Sequence, residues 1–312
     1  MDNRPIGFFD SGLGGLTCIT PLMKALPEEK VIYFGDTART PYGSKAISTI
    51  KLFTQQIAEF LVSQDVKMLV IACNTISSTC LDDLREKYPD IPIIGIIQPT
   101  AQKIARTCGM TNRIGIIGTK VTVQSESYNK AVNAITEDLN LFSVACPAFV
   151  PLIEEGIINS DIMDLTIRYY IEDFVLENRI DTMVLGCTHY PLIRANIERI
   201  FPDIRIVNPS EEIVTSIRDT LEERDMFAKG SDAQNIFYAS DLSENFLNMI
   251  DKIFAGSDVQ VKFKNLEFDD FESFKRRFFE VLEYMKHMNI VSSAVLHVNG
   301  KRTYVWPESE RR

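Results

Sequence analysis

The segment V-I-A-C-N-T, residues 70–75, is an apolar run that stops at Cys73, and V-L-G-C-T-H, residues 184–189, stops in the same way at Cys187. A second pair of similar segments, I-G-F-F-D at residues 6–10 and I-G-I-I-G at residues 114–118, precedes them at a comparable spacing. All-apolar strands are typical of parallel sheets that are covered on both faces. We interpret the pairs as an internal repeat, which predicts two similar α/β units with mainly parallel sheets.

Apolar and amphipathic runs continue to alternate along the rest of the chain. The predicted strands are Pro5–Phe9, Lys30–Phe34, Met68–Ala72, Ile91–Ile97, Arg113–Ile117, Ser143–Ala145, Asp181–Leu185, Ile204–Val207 and Asn235–Ala239. Helical spacing of apolar residues predicts helices over Ser44–Leu61 and Pro191–Phe201. Ser210, followed by Glu211 and Glu212, is predicted to cap a further helix. The alternation is typical of the α/β class.

The composition argues against several kinds of protein. The 312 residues carry a net charge of −10 with a pI of about 5.0, so no basic face for nucleic acid is expected. No apolar run approaches the roughly 20 residues of a membrane helix, and the N-terminus does not resemble a signal peptide. Three histidines without metal-ligand spacing and six cysteines without a C-x-x-C motif argue against a metal site and disulfides. We expect a cytoplasmic protein with reduced thiols and with no metal, nucleic-acid or membrane partner.

The fold class predicts where the two cysteines lie. The carboxyl ends of parallel strands meet at one edge of a sheet, where such sheets bind ligands. Two units that face each other would place Cys73 and Cys187 on opposite walls of one cleft. Polar residues follow each cysteine, N-T after the first and T-H after the second, and a helix N-terminus with free N–H groups is expected next.

Two turns follow predicted strands at the same edge. The run D-S-G-L-G-G-L-T, residues 10–17, has three glycines that allow a tight turn, but its spacing is not that of a dinucleotide-binding loop. A carboxylate held at the following helix start is the simpler interpretation. Asp10 is either a turn-forming residue or a functional carboxylate. The run T-P-Y-G-S, residues 40–44, is predicted to turn at Pro41 and to cap the next helix at Ser44.

Two further positions have both a structural and a functional interpretation. Thr119, in I-I-G-T-K-V-T, either caps a helix or contacts a ligand. Glu154, in V-P-L-I-E-E-G, is either a second carboxylate of the site or part of a solvated helix face.

Two thiols across a cleft, in a chain without a haem, metal or pyridoxal phosphate motif, indicate redox coupling or proton transfer at carbon. Nothing in the sequence resembles a resolving cysteine pair. Inversion of a stereocentre needs a base on one face and an acid on the other, so the resting pair must be one thiolate and one thiol. A free thiol has a pKa of about 8.5 and is mostly protonated at neutral pH. Each cysteine therefore needs a proton-accepting neighbour, for which Asp10 and His189 are the candidates.

With these residues in place, the chain resembles the glutamate racemase family of the cofactor-independent aspartate/glutamate racemases. Six motifs carry the resemblance, in order, over about residues 5–265: F-D-S-G-L-G-G-L-T, G-D-T-A-R-T-P-Y-G-S, V-I-A-C-N-T, I-G-I-I-G-T-K-V-T, P-L-I-E-E-G and L-G-C-T-H-Y-P-L. The resemblance implies two α/β domains with the active site in the cleft between them. It also implies that the protein interconverts L- and D-glutamate, its small-molecule substrate, for peptidoglycan precursors and without a cofactor.

The resemblance also implies roles for residues. Cys73 and Cys187 become the catalytic acid/base pair, with Asp10 and His189 assisting. The implied substrate-contacting or thiol-assisting positions are Asp10, Ser11, Tyr42, Gly43, Asn74, Thr75, Thr119, Glu154, Thr188 and His189. Because the second domain of the family is inserted into the first, the implied first domain is 1–97 plus 210–266 and the second is 98–209.

The chain continues past the expected end of the family, over residues 267–312. Apolar residues recur at helical spacing between Phe271 and Met288, and V-S-S-A-V-L-H-V-N-G-K-R-T-Y-V-W predicts a β-hairpin around Asn299-Gly300. We expect this helix and hairpin to pack on the body of the protein. The alternative is an interface, for example of a homodimer, because such an apolar face does not stay exposed.

Two functional alternatives stay open at the level of sequence. An aspartate racemase of the same group would share both cysteines, whereas a decarboxylase of the group would have one. A non-catalytic amino-acid-binding protein would keep the cleft but would not exchange the Cα proton of its ligand.

Overall fold

The computed structural model describes residues 1–230, 234–254, 259–266, 294–298 and 302–306. Contacts divide the chain into two compact units, Met1–Lys264 and Asn265–Arg312. Among the described residues, none of the helices combines the length and the apolar character that a membrane span requires.

Two parallel sheets organise the first unit. Its strands are β1 (Ile6–Asp10), β2 (Val31–Gly35), β3 (Met68–Ile71), β4 (Ile93–Gly95), β5 (Arg113–Gly118), β6 (Asn140–Ala145), β7 (Thr182–Gly186), β8 (Arg205–Val207), β9 (Asn235–Ala239) and β10 (Val259–Phe263). The first sheet has the order β10-β9-β2-β1-β3-β4, and the second has the order β6-β5-β7-β8. Every described pairing in the two sheets is parallel.

The two sheets repeat one arrangement of strands. In β2-β1-β3-β4 and in β6-β5-β7-β8, the first strand along the chain lies between the second and the third, and the fourth lies beyond the third. The repeated sequence segments form β1 and β5, and the runs that precede the two cysteines form β3 and β7. The predicted repeat and the predicted parallel α/β class are therefore confirmed.

Helices cover the sheets. The described α-helices are α1 (Ile19–Ala25), α2 (Ile47–Ser63), α3 (Asn74–Lys87), α4 (Ile97–Thr107), α5 (Lys120–Gln124), α6 (Ser127–Asn133), α7 (Phe149–Glu154), α8 (Asp161–Asn178), α9 (Arg194–Ile200), α10 (Pro209–Glu223) and α11 (Glu244–Phe254). Short 3₁₀ helices span Gly14–Cys18, Thr37–Arg39 and Tyr190–Ile193. Buried residues of α10 belong to the same apolar core as Ile114 of β5 and Val184 of β7, so one core joins both sheets.

Several local predictions were wrong at helix starts. The helix predicted from Ser44 begins at Ile47, because Gly43 just before it is held elsewhere, its carbonyl accepting the Val121 amide. The helix predicted over Pro191–Phe201 starts as a 3₁₀ turn and becomes α-helical only at Arg194. The edge strand β10 was not predicted, because V-Q-V-K-F alternates apolar and polar residues and contains no continuous apolar run.

The start of α10 also differs from its prediction. Asn208, rather than Ser210, caps the helix: its side-chain oxygen accepts the Ser210 amide at 3.1 Å, and Pro209 occupies the first turn. The Ser210 hydroxyl instead lies 2.9 Å from that of Thr17. The two glutamates predicted for the first turn are there, where negative charge is favourable.

In the second unit, β11 (Ala294–Val298) pairs antiparallel with β12 (Arg302–Trp306), which confirms the strands of the predicted hairpin. The helix predicted between Phe271 and Met288 and the turn at Asn299-Gly300 lie outside the described residues.

A buried ion pair ties the start of the chain to the end of α10. Lys67 Nζ lies 2.6 Å from Glu29 Oε2, and both side chains are almost completely buried. The same ammonium donates to the carbonyls of Asp2 at 2.8 Å and Met226 at 2.7 Å. Two carbonyls thus accept hydrogen bonds from the ammonium and the Glu29 carboxylate supplies the opposite charge, which compensates for the burial of Lys67.

We predict that Lys67→Met lowers the free energy of unfolding by about 3–5 kcal/mol, because it leaves a buried carboxylate unpaired. Urea denaturation measures this change. Lys51→Met is the matched control: its partner Asp83 is 2.7 Å away, but both side chains are more than two-fifths exposed, so we expect a much smaller loss. Equal losses in the two variants would contradict the prediction.

Candidate active site

A small enclosed cavity lies where the carboxyl ends of the two sheets meet. Its volume of about 20 Å³ is room for about one water molecule. The residues that line it come from both sheets and their following loops: Ser11, Thr40, Pro41, Tyr42, Gly43, Cys73, Asn74, Thr75, Thr119, Val150, Cys187, Thr188 and His189. The fold therefore brings the two cysteines into one cavity.

The two cysteines occupy equivalent positions. Cys73 follows β3 and is the N-cap of α3, whereas Cys187 follows β7 just before the 3₁₀ helix Tyr190–Ile193. Both thiols are free and buried. Each wall of the cavity thus carries one sulfur and one set of N-terminal helix amides.

The carboxylate of Asp10 lies behind the cavity and does not line it. Asp10 is fully buried, and its Oδ2 accepts the amides of Gly12 at 3.2 Å and Gly15 at 2.9 Å. The Thr188 hydroxyl donates to Oδ1 at 3.4 Å. Asp10 therefore shapes the glycine turn, one of the two interpretations that its sequence position allowed.

The surroundings of Cys73 favour the protonated thiol. Burial is the main cause that raises the pKa of Cys73 well above its usual value, and the negative charge of Asp10 adds to it. The thiol donates to the Ser11 hydroxyl, with Sγ 3.3 Å from Oγ. Cys73 is therefore an SH group at neutral pH.

The group beside Cys187 is His189, whose imidazole is favoured in its charged form. Burial alone would lower the pKa of His189, but hydrogen bonds to Cys187 and Glu154 outweigh it and raise that pKa to about 10. His189 Nε2 lies 2.9 Å from Glu154 Oε1, and Nδ1 lies 3.9 Å from Cys187 Sγ. The positive charge of His189 therefore lies next to the sulfur of Cys187. Glu154 is thus brought to the site, although it supports His189 and does not line the cavity.

Asp36 holds the loop that carries Tyr42 in place. Asp36 was not among the site residues predicted from the sequence. The fully buried carboxylate accepts hydrogen bonds from Arg39 Nε at 2.7 Å, from Ser240 Oγ at 2.7 Å and from the Tyr42 hydroxyl. The Arg39 guanidinium also lies 4.0 Å from the centre of the Phe53 ring. This network fixes the wall formed by residues 40–43.

Direct hydrogen bonds join the two sides of the cavity. The hydroxyls of Thr75 and Thr119 lie 3.0 Å apart, and the Val121 amide donates to the Gly43 carbonyl at 3.3 Å. Thr119 also caps α5 through the amide of Thr122, which confirms the structural interpretation of this residue, and its ligand contact stays a prediction. The cavity is closed by these contacts.

Two buried polar atoms at the cavity have no hydrogen-bond partner among the described residues. They are the side-chain nitrogen of Asn74 and the hydroxyl of Thr40. Buried polar groups are almost always paired, so atoms of this kind mark a place where a polar ligand fits. In the described part of the chain, no cluster of three or more histidine, cysteine, aspartate or glutamate residues is arranged to hold a metal.

The sequence profile described as Asp/Glu/hydantoin racemase matches residues 16–217. The chain belongs to this racemase family. A glutamate racemase from Geobacter metallireducens is 40% identical over 258 residues, which cover 82% of this chain and 94% of the relative. One from Streptococcus sanguinis is 44% identical over 218 residues, which cover 70% and 81%.

A solved racemase structure has the same fold. The crystal structure of glutamate racemase from Francisella tularensis in complex with D-glutamate matches with a TM-score of 0.79 at 34% identity, over 85% of this chain and 99% of that one.

Of the site residues expected from sequence, all except Asp10 and Glu154 line the cavity of this racemase-family protein. Thr40, Pro41 and Val150 line it as well and were not expected. Thr40 and Pro41 lay within the quoted motif G-D-T-A-R-T-P-Y-G-S, which is the signal that could have found them.

We predict that His189 titrates with a midpoint near pH 10 in the folded protein. NMR of ¹³Cε1-labelled histidine measures the midpoint. Glu154→Gln should lower it by about one unit, because the carboxylate that favours the imidazolium is lost. A midpoint near the usual 6.5 would contradict the charge assignment.

The same pKa predicts a pH dependence of stability. Because the folded-state pKa is raised, the stabilisation is fully present below pH 6.5 and is lost as the pH rises through about 10. Urea denaturation between these limits should show this decline in the wild type and a flatter curve in His189→Asn.

Proposed function

We propose that the protein is a cytoplasmic glutamate racemase, which interconverts L- and D-glutamate without a cofactor and supplies D-glutamate for peptidoglycan synthesis. The observation that carries the proposal is the placement of two cysteines with different charge environments in one closed cavity. The glutamate racemases among the relatives favour glutamate over aspartate as the substrate. Their similarity also favours an enzyme over a binding protein.

The two sulfurs act as base and acid on opposite faces of Cα. The Cys187 thiolate takes the Cα proton and becomes a thiol, and the electron pair of the broken C–H bond stays on the substrate as a carbanion. The Cys73 thiol then gives its proton to the other face and becomes a thiolate. The reverse reaction uses the same groups in exchanged roles. His189 stabilises the thiolate form of Cys187, and Asp10 and burial keep Cys73 protonated.

The remaining lining residues hold the charged groups of the substrate. Hydroxyls of Ser11, Thr75 and Thr188 and the amide of Asn74 surround the sulfurs and offer hydrogen bonds to carboxylate and ammonium. The N-terminal amides of α3, which begins immediately after Cys73, provide further donors for an anion. Such fixed donors also stabilise the charge that develops when the Cα proton leaves.

The described cavity of about 20 Å³ has room for about one water molecule, so an amino acid needs more space than the described arrangement leaves. The substrate therefore enters only when the two sides separate, which breaks the Thr75–Thr119 contact. Reclosure brings both sulfurs to Cα and excludes water. We assign the moving parts to a first domain of 1–97 plus 210–266 and a second of 98–209; what supports this division is that the first sheet draws its strands from the former range and the second sheet from the latter.

We predict that Cys73→Ser and Cys187→Ser each lower kcat for racemisation by about 10²–10⁴-fold, because a serine hydroxyl is a far weaker acid than a thiol. Loss of optical activity, followed by circular dichroism from each glutamate enantiomer, measures kcat. Cys108→Ser is the control, since Cys108 lies away from the cavity and its contact with Arg205 can be kept by a hydroxyl. Near-normal turnover in either cavity variant contradicts the two-thiol scheme.

Exchange of the Cα proton in D₂O tests the class of function. We expect the wild type to incorporate deuterium at Cα of both enantiomers, which ¹H NMR detects. Binding of glutamate without any exchange would identify a binding protein instead.

The position of His189 gives a further prediction. A Cβ atom added at Gly14 would lie 2.5 Å from His189 Nδ1 and 2.5 Å from the Thr188 hydroxyl, so both side chains must move. We expect Gly14→Ala to lower kcat/KM by about 10²-fold, as displacements of catalytic groups by about 1 Å do. Gly109→Ala is the control, because its Cβ meets nothing within 4 Å, and it should keep wild-type activity. Normal activity in Gly14→Ala would contradict the proposed role of His189.

A further inference from the structure

The amide of Asn74 is held in one orientation by a residue from the part of the chain that forms the second sheet. Asn74 is buried, and its Oδ1 accepts a hydrogen bond of 2.6 Å from the hydroxyl of Tyr128. Its Nδ2 has no hydrogen-bond partner among the described residues. The donor side of this amide is therefore free for a ligand, while the acceptor side is occupied.

The hydroxyl of Tyr128 acts as a hydrogen-bond donor. It lies on α6, in the part of the chain that forms the second sheet, and is 2% exposed. Burial raises the pKa of Tyr128 well above its usual value, so its hydroxyl keeps the proton wherever the protein is folded. Asn74 begins α3, next to the first sheet. The hydrogen bond between them therefore joins the part of the chain that forms the second sheet to a helix next to the first sheet.

The orientation of this amide matters for an anionic ligand. With Oδ1 bound to Tyr128, Nδ2 can donate to a carboxylate oxygen. With the amide turned over, its carbonyl oxygen would face the carboxylate, and two acceptors would repel each other. The hydrogen bond from the Tyr128 hydroxyl to Oδ1 disfavours this turned-over orientation of the Asn74 amide.

We propose that Tyr128 is a positioning residue for substrate binding, whose hydroxyl fixes the Asn74 amide so that Nδ2 donates to a carboxylate of the bound amino acid. This inference rests on the proposed function. It assigns Tyr128 an effect that acts through Asn74, without contact between the tyrosine and the substrate. Because the bond spans the two sides, the amide is fully oriented only in the closed arrangement.

The first test is Tyr128→Phe, which removes the hydroxyl and keeps the ring. We expect kcat/KM for glutamate to fall about tenfold, the effect of losing one hydrogen bond at a buried site. The change should appear mainly in KM, because the sulfurs and His189 are untouched. Unchanged KM and kcat in Tyr128→Phe would overturn the inference.

The second test is a double-mutant cycle with Asn74→Ala. If Tyr128 acts through Asn74, the Tyr128→Phe change in the Asn74→Ala background should alter KM less than about twofold. A full tenfold effect that persists in that background would show that Tyr128 acts by another route and would overturn the inference.

Tyr190→Phe controls for the loss of a buried tyrosine hydroxyl as such. Tyr190 is fully buried, and its hydroxyl donates to the Cys146 carbonyl at 3.1 Å. Both tyrosine variants should lower Tm by similar amounts, but only Tyr128→Phe should raise KM about tenfold. An equal rise in KM in both variants would identify a general structural effect and overturn the inference. Absence of racemisation in the wild type would contradict the proposed function itself. The role of Tyr128 fails in a different way, in the comparison of variants with an active wild type.

Discussion

The positive charge on His189 is the condition on which the rest of the site depends. A buried imidazole is normally neutral, since desolvation penalises its charged form. Here Glu154 on one ring nitrogen and Cys187 on the other reverse that preference. On the opposite wall, burial and the carboxylate of Asp10 keep Cys73 protonated. The two cysteines thereby have different neighbours, a positive charge beside Cys187 and a negative charge near Cys73, and the proposed reaction uses that difference.

The internal repeat places two cysteines at equivalent positions. The surroundings of the two sulfurs differ because the residues around each cysteine are not the same in the two halves of the repeat. The two sheets share one strand order, and each cysteine follows the strand that is third along the chain in its set. After Cys73 the chain enters α3 directly, whereas after Cys187 it first passes through Thr188 and His189 to a 3₁₀ turn. That short detour lets the His189 ring lie beside the sulfur that precedes it by two residues.

The sequence predicts well whatever depends on local pattern. Continuous apolar runs identified nine of the ten strands in the two sheets, and the repeat brought Cys73 and Cys187 to the same edge before any contact was known. Contacts between residues far apart in the chain left no such signal: Tyr128 meets Asn74 from a position 54 residues away, and Ser240 reaches Asp36 across 204 residues. The cap of α10 was misassigned for a related reason, because the Ser210 hydroxyl is engaged by Thr17 instead of by its own helix.

The small volume of the closed cavity bears on how the protein selects its ligand. An amino acid that enters must shed its hydration shell before the walls meet, and dehydrating a carboxylate or an ammonium is unfavourable unless new partners replace the lost water. The free Asn74 nitrogen and the Thr40 hydroxyl are partners of this kind. If the polar groups of a molecule do not reach these two atoms, the groups of the molecule and the two protein atoms all lose their water without gaining a hydrogen bond. The protein would then discriminate between possible ligands while they lose their hydration water, before any bond at Cα breaks.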